Sequence, residues 1–335
     1  MSLDPQTYLL TLMKQVQPAY RRGADEPLEA WQEKARARLG ELLGMARMTP
    51  TEPDFRIEWT QQKDGYTETR FLFQSEPETD VCCHLLVPDG AAGKLPFIVC
   101  LQGHSRGMHI SLGTPMYEGD EKSIAGGRDF ARQIVARGQA ALAIEQRGFG
   151  QRGGTPEPAC QQPAVQAMML GRTLIGERCW DISRALDVAL ANFPVLDGTR
   201  IGIMGNSGGG TATIYAAALD TRFTAAMPSC AFCGYLPSIG AQHHCICNYV
   251  PGIMNEFDMS DLAGLIAPRP LVIVNGKEDT IFPLASAQEQ AAIARTYYAA
   301  ANADSAMRHV IGSEGHRFYP VEAWPVFDEV TGWRA

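Results

Sequence analysis

The sequence predicts an α/β protein with a mostly parallel sheet and helices on both of its faces. From residue 96 onward, short and continuous apolar runs alternate with longer helical stretches. Such runs are typical of strands that are buried on both faces of a parallel sheet. Strands that alternate with helices favour right-handed crossovers between parallel neighbours. The predicted strands are 97–101, 140–144, 201–204, 224–227, 271–274 and 309–311, and the predicted crossover helices are 123–137, 172–193, 208–219 and 285–301.

The chain before residue 96 predicts strands that join this sheet by antiparallel pairing. Residues 55–60, 67–73 and 81–87 resemble strands separated by polar turns, which favours antiparallel pairing. The first 50 residues carry a helical repeat of apolar side chains, namely Leu28, Trp31, Ala35, Leu39, Leu42 and Leu43. We therefore expect extra N-terminal helices as an extension over residues 1–50, followed by one large domain over residues 51–335.

Composition excludes some classes of function. The formal net charge of −8 disfavours a nucleic-acid binder, and no apolar run reaches the ~20 residues that span a bilayer. The N-terminus does not resemble a signal peptide, and nine cysteines are an odd number for a disulfide framework. We expect a cytoplasmic protein with reduced thiols that acts on a small molecule, and assembly into a homo-oligomer is compatible with the sequence.

A glycine-rich turn connects the predicted strand 201–204 to the predicted helix 208–219. Its sequence is Gly205-Asn206-Ser207-Gly208-Gly209. A strand that turns sharply into a helix places Ser207 at the apex and needs glycine two residues to either side. The helix N-terminus there favours developing negative charge. This context predicts a nucleophile elbow, the sharp turn that exposes a nucleophilic serine.

A serine nucleophile needs a base, and the base needs an acid to orient it. Two histidines lie near the C-terminus, and we favour His316 over His309 because it follows a strand in a flexible loop. Asp279 and Glu278 both follow strand 271–274, and we prefer Asp279 because a proline-terminated turn would fix its direction. The carboxylates at 258 and 261 precede that strand and are weaker candidates.

Acyl transfer also needs two N–H donors for the oxyanion of the tetrahedral intermediate. Gly208, the residue after the nucleophile, supplies one of them. The second is expected from the loop after strand 97–101, where the backbone N–H of His104 is our first choice and that of Gly103 the alternative.

Four segments together resemble one branch of the α/β hydrolases, the acetyl xylan esterase and cephalosporin deacetylase-like branch, which is related to dienelactone hydrolases. They are Leu101-Gln102-Gly103-His104, Glu145-Gln146-Arg147-Gly148-Phe149-Gly150, the elbow, and Ala267-Pro268-Arg269-Pro270 with the acid and base segments that follow it. The resemblance covers about residues 80–330 and implies an α/β-hydrolase fold. It also implies a serine hydrolase of short acyl or acetyl esters, including those of carbohydrates, that needs no cofactor.

Gln102 and His104 depart from the His-Gly-Tyr type of loop that is usual in that branch. The alternatives are a peptidase or a lactone or thioester hydrolase on the same fold, and a scaffold that binds without catalysis. Residues 151–169 and 230–262 are long and irregular, and we expect them to line the substrate pocket. The candidate pocket residues are Gln102, Arg147, Asn206 and His244.

The cysteines of the second irregular segment could suggest zinc. Cys230 and Cys233 precede a group of His243, His244, Cys245 and Cys247. Cys230 ends a buried strand, and the spacing of the last two cysteines is poor for chelation. We therefore expect these residues to pack in the core or in the pocket, with no metal.

Overall fold

The computed structural model describes residues 3–154 and 157–334, and its strands form a nine-stranded sheet. The strand order is β1-β2-β3-β5-β4-β6-β7-β8-β9. The strands are β1 (Arg56–Lys63), β2 (Tyr66–Glu76), β3 (Thr79–Pro88), β4 (Leu95–Leu101), β5 (Ala140–Ile144), β6 (Leu196–Asn206), β7 (Ala225–Ser229), β8 (Leu271–Gly276) and β9 (Met307–Gly312).

The strand pairing changes from antiparallel to parallel along the sheet, as the change in the sequence pattern predicts. Strands β1, β2, β3 and β5 pair antiparallel, whereas every pair among β5, β4, β6, β7, β8 and β9 is parallel. The prediction of a mostly parallel sheet with an antiparallel N-terminal part is therefore confirmed.

Helices cover both faces of the sheet. They are α1 (Pro5–Gln15), α2 (Leu28–Leu43), α3 (Asp120–Ser123), α4 (Phe130–Ala136), α5 (Gln161–Met169), α6 (Leu174–Asn192), α7 (Gly208–Leu219), α8 (Ile253–Glu256), α9 (Met259–Ile266), α10 (Leu284–Ala300) and α11 (Pro320–Thr331). Side chains alternate along the strands between two cores. Val99 and Ile203 join the core with α2, α6, α7, α9 and α10, while Ile98 and Met204 join the core with α4 and α11.

Two predicted irregular segments contain helices. Segment 151–169 ends in α5, residues 155 and 156 of it lying outside the described part of the chain, and segment 230–262 contains α8 and the start of α9. The predicted helix 123–137 is divided, because Gly127, with φ 78°, interrupts the helical backbone within residues 124–128, before α4 begins. No helix among the described residues is long and apolar enough to cross a membrane.

Helix α2 packs into the main core. Trp31 is fully buried, its ring lies 4.7 Å from that of Tyr297, and its indole N–H donates to the carbonyl of Tyr20 at 2.7 Å. The Gln32 amide donates to the carbonyls of Gly264 and Ala267 at the end of α9. These bonds satisfy carbonyl groups that a helix end leaves unpaired.

Arg269 gives the Ala-Pro-Arg-Pro segment a structural role between two helices. Its guanidinium is held between the ends of α7 and α9 and donates to the carbonyls of Ala217, Phe223 and Leu265. Burial lowers the pKa of Arg269 to about 10. The segment therefore connects α7, the helix that follows the elbow, to α9.

Candidate active site

The turn around Ser207 has the backbone geometry of a nucleophile elbow. Ser207 has φ 56° and ψ −122°, follows directly on β6 and precedes the first residue of α7. Its N–H donates to the carbonyl of Ser229 at the end of β7 at 2.8 Å. Such a left-handed conformation costs a non-glycine residue about 1–3 kcal/mol and is found mostly at functional sites.

The glycines on either side allow this turn to form. A Cβ on Gly205 would lie 2.5 Å from the carbonyl of Gly209, and one on Gly209 would lie 2.1 Å from the carbonyl oxygen of Leu101. Both distances are far shorter than a carbon–oxygen contact allows. The glycine spacing in the sequence is therefore required by the packing of β6, α7 and β4.

Asp279 lies in the turn between β8 and α10 with a buried carboxylate. Its Oδ1 accepts the backbone N–H groups of Ile281 at 2.9 Å and Phe282 at 3.1 Å, and its Oδ2 lies 2.8 Å from Nδ1 of His316. The neighbouring Glu278 is exposed to solvent. Of the two carboxylates that the sequence leaves open, only Asp279 is held against the histidine.

His316 lies in the loop between β9 and α11, and this loop is hydrogen-bonded to the turn that contains Asp279. The N–H of Glu278 donates to the carbonyl of Glu314 at 2.9 Å. The imidazole stacks on the ring of Phe282, with 5.9 Å between ring centroids. The other candidate base, His309, bonds Asn275 within the sheet, and burial lowers its pKa to about 4.

The pKa of Asp279 has two opposing causes. Burial raises it, whereas the hydrogen bond and charge of His316 and the N–H groups of Phe282 and Ile281 lower it, and the net shift is downward. The carboxylate is therefore ionised at neutral pH. In that form it can accept a hydrogen bond from Nδ1–H of His316, which leaves Nε2 outside this hydrogen bond.

All these groups lie at one edge of the sheet. The elbow follows β6, the acid turn follows β8, the histidine loop follows β9, and a fourth loop follows β4. These four strands run parallel, so their carboxyl ends meet at the same edge, where open α/β sheets bind ligands.

The loop after β4 lies directly on the elbow. A Cβ on Gly103 would lie 2.8 Å from the carbonyl oxygen of Asn206 and 3.1 Å from Cβ of Ser207. The ring of His104 lies against Gly208, where an added Cβ would be 2.7 Å from the ring. The structure thus brings together all three residues that the sequence suggests for an oxyanion hole.

Two further residues lie beside Asp279 and His316, and for one of them, Cys230, the sequence predicts only packing in the core or in the pocket. The thiol of Cys230 lies within 4.8 Å of both Asp279 and His316 and donates to the carbonyl of Arg317 at 3.2 Å. Burial raises the pKa of Cys230 to about 12, so the thiol stays protonated. Phe282 is the second, and only its place in the acid turn could have suggested it.

Three predicted pocket residues contribute to internal bonds. Gln102 is buried and donates to Oε1 of Glu145 at 2.6 Å, and Asn206 is buried and accepts from the Ser229 hydroxyl at 2.9 Å. Arg147 forms ion pairs with Glu76, Glu177 and Asp181. All three nitrogens of the Arg147 guanidinium are engaged in these ion pairs.

His244 does lie in the same cleft as the acid and base. Its ring is 5.5 Å from that of Phe282, which in turn stacks on His316, and its Nε2 lies 3.0 Å from the Ser238 hydroxyl. Burial lowers the pKa of His244, and the nearby His104 and His316 lower it further. His244 is therefore a neutral hydrogen-bonding group beside the site.

The structure divides the cysteines of the second irregular segment. Cys230 lies beside Asp279, and Cys233 donates to the carbonyl of Gly234. Cys245 and Cys247 instead meet Cys160 and His104, two residues that the sequence did not connect with them. The predicted set of six possible ligands is therefore not one cluster.

A cavity of about 670 Å³ lies beside this edge, between the antiparallel strands and residues 106–117. Its lining includes Trp59, Arg70, His84 and Tyr117, and it shares Glu145 with the loop after β4. Ser207, Asp279 and His316 do not line it.

A family model described as acetyl xylan esterase (AXE1) matches residues 44–239. The chain belongs to the acetyl xylan esterase family. The resemblance to this branch that the sequence suggests is therefore confirmed. A second model, of the prolyl oligopeptidase family, matches residues 171–324, the part that holds the elbow, the acid and the base.

One individual relative is described as a hydrolase. The protein described as "Putative hydrolase YtaP" from Bacillus subtilis (strain 168) is 29% identical over 190 residues, which is 56% of this chain and 62% of that protein. The chain thus spans less than two thirds of the length of this relative.

Solved structures show the same fold. One, described as "a putative acetyl xylan esterase" from Bacteroides fragilis NCTC 9343, has a TM-score of 0.76 and 17% identity over 97% of this chain and 84% of that one. The acetyl xylan esterase from Paenibacillus sp. R4 has a TM-score of 0.61 and 19% identity over 99% of both chains. The predicted α/β-hydrolase fold is confirmed.

Proposed function

We propose that the protein is a serine esterase that removes short acyl groups, acetyl above all, from carbohydrate esters. The observation that carries the proposal is the Asp279–His316 hydrogen bond at the sheet edge where Ser207 occupies the strained apex of its elbow. The family and the names of its members support acetylated sugars as the substrate class.

In this mechanism Ser207 is the nucleophile. Its Oγ attacks the acyl carbon as Nε2 of His316 accepts the hydroxyl proton, and Asp279 orients the imidazole and stabilises its charged form. The oxyanion is held by the N–H of Gly208 and by that of His104 or Gly103. His316 then protonates the departing sugar oxygen, which leaves an acyl group on Ser207.

The second half of the reaction returns the enzyme to its starting state. Water attacks the acyl carbon while His316 accepts one of its protons, and the second tetrahedral intermediate uses the same N–H donors. Collapse of this intermediate releases the carboxylic acid and returns the proton to Ser207 Oγ. Each cycle consumes one ester and one water and needs no cofactor.

A substrate panel tests this proposal. We expect 4-nitrophenyl acetate to be hydrolysed faster than the butyrate, a peptide anilide to be inert, and acetylated xylo-oligosaccharides to release acetate. Ser207→Ala measured in parallel accounts for any background hydrolysis. Cleavage of the anilide in preference to the acetate would favour a peptidase, the alternative to which the prolyl oligopeptidase match points.

A further inference from the structure

Four potential metal ligands meet outside the acid–base pair. They are His104 in the loop after β4, Cys160 at the start of α5, and Cys245 and Cys247 around a single helical turn. Their ligand atoms all lie within 4.8 Å of one another, and Nε2 of His104 is 3.1 Å from Sγ of Cys247. Cys160 and Cys247 are buried, and none of the nine cysteines forms a disulfide.

We propose that these four side chains bind a structural Zn²⁺ ion. Three cysteines and one histidine are a common tetrahedral zinc set. Zn–S bonds of about 2.3 Å place the sulfur atoms of a tetrahedral site about 3.8 Å apart, a separation compatible with the observed cluster. Binding of Zn²⁺ by the three thiols releases three protons, and the histidine binds as the neutral ring.

The charge around the cluster supports this ion independently. Arg178 is fully buried, its Nη2 lies 3.3 Å from Sγ of Cys160, and its Nη1 has no hydrogen-bond partner among the described residues. Its other bonds go to the carbonyl of Arg147 and to the sulfur of Cys247, and it forms no ion pair with a carboxylate in the described part of the chain. A buried cation without a counter-charge is costly.

Zinc supplies the missing counter-charge. Zn²⁺ with three thiolates and a neutral imidazole has a net charge of −1, which balances the guanidinium of Arg178. Three neutral thiols would leave this cation unbalanced. The ring of Phe149, 4.3 Å from the guanidinium carbon and 5.0 Å from the ring of His104, closes the other side of the cluster.

The site also explains why the poor spacing of Cys245 and Cys247 is no obstacle. Cys245 directly precedes the 3-10 turn Ile246–Asn248 and Cys247 lies within it, and both approach the ion together with Cys160 and His104, which lie 85 and 141 positions before Cys245. Zinc would connect the loop after β4 to both irregular segments. Since the ring of His104 also lies against Gly208, the bound ion would hold the loop after β4 on the elbow.

Metal analysis of the full-length protein tests the site directly. Protein from zinc-supplemented medium, purified without a metal-affinity tag and washed with a weak chelator, should retain about one Zn²⁺ per chain by mass spectrometry. Replacement by Co²⁺ should give the near-ultraviolet charge-transfer absorption of cobalt thiolates. Removal of the ion should lower the Tm, because a ligand of the folded state stabilises it.

Matched variants locate the ion. Cys160→Ser and Cys247→Ser should each lose most of the zinc and the cobalt–thiolate absorption. Cys179→Ser, which changes a buried cysteine next to Arg178 but outside the cluster, should retain both. If either cluster variant does not fold, the wild-type metal content and cobalt spectrum still decide the matter.

Three results would overturn the proposal. They are wild-type protein with less than about a tenth of a zinc per chain, a disulfide among the three cysteines in native protein, and zinc that stays at full stoichiometry in both cluster variants. Ser207→Ala should keep its zinc, so failure of the esterase proposal and failure of the zinc proposal give different results.

Discussion

At the residue scale, the candidate site depends on a few side chains whose directions are fixed by backbone hydrogen bonds. Asp279 is held by two N–H groups of its own turn and by His316, whereas Glu278 points to solvent although it is the adjacent residue. Substitution of Glu278 is therefore a matched control for substitution of Asp279.

Asp279→Asn should lower kcat for 4-nitrophenyl acetate by about 10³–10⁴-fold, because the amide no longer favours the productive tautomer of His316. Glu278→Gln should change kcat by less than about threefold, since its side chain is exposed. Steady-state kinetics with circular dichroism as a folding check decide between them. The reverse order of effects would reassign the acid.

The location of Ser207, Asp279 and His316 at one edge of the sheet could be predicted from the sequence because each follows an apolar strand. Cys230 could not, because its closeness to Asp279 depends on how the ends of β7 and β8 adjoin. The internal ion pairs of Arg147 could not be predicted for a similar reason. Its segment matches the family pattern, but its carboxylate partners come from β2 and α6.

At the scale of elements, α2 belongs to the main core although it lies within the predicted N-terminal extension. The side chains Leu28, Trp31, Ala35, Leu39 and Leu43 are all buried, whereas α1 presents exposed apolar residues such as Leu9. We infer that α2 and the sheet unfold together.

Trp31→Ala should lower the free energy of unfolding by about 3–5 kcal/mol, because it leaves a large cavity and removes the bond to Tyr20. Leu9→Ala, on the exposed face of α1, should change it by less than about 0.5 kcal/mol. Urea unfolding monitored by circular dichroism measures both. A separate early transition for α2, or equal effects of the two variants, would contradict a shared core.

Strand predictions succeeded where the sequence is apolar on both faces. Strand β5 has the predicted bounds, whereas β6 starts five residues earlier than predicted because Asp197, Gly198 and Thr199 look like a turn. Helix α5 was missed because only Ala164 and Ala167 are buried on it, too small a stripe to show helical periodicity.

At the scale of the whole molecule, buried charge links several segments and makes stability depend on pH. Burial raises the pKa of Glu145 to about 7, although the N–H of Met108 and the charge of Arg152 act in the opposite direction. A carboxyl with a raised pKa in the folded state contributes stability at low pH that is lost as the pH rises through that value.

Glu145→Gln should therefore remove a decline in Tm between about pH 4.5 and pH 7, a difference of roughly 3 kcal/mol in unfolding free energy across that range. Glu118→Gln, at an exposed position, should keep the wild-type slope. Thermal denaturation across this pH range measures both. A wild-type Tm that does not fall as the pH rises through this window, or a slope that persists in Glu145→Gln, would show that Glu145 is ionised in the fold.

Contacts between segments that are distant in the sequence could not be predicted from the sequence. The fold class follows from local patterns, but the His104–Cys160–Cys245–Cys247 cluster joins three segments that no local pattern connects. Such a site becomes visible only once the loops at the sheet edge are placed together.

Labelling with a fluorophosphonate shows whether Ser207 is an activated nucleophile. Wild-type protein should react with one probe per chain, at Ser207 by peptide mass spectrometry, and lose its esterase activity in parallel. Ser207→Ala should remain unlabelled and inactive. A folded wild-type protein that fails to label, or a Ser207→Ala variant that labels equally, would show that Ser207 is not the nucleophile.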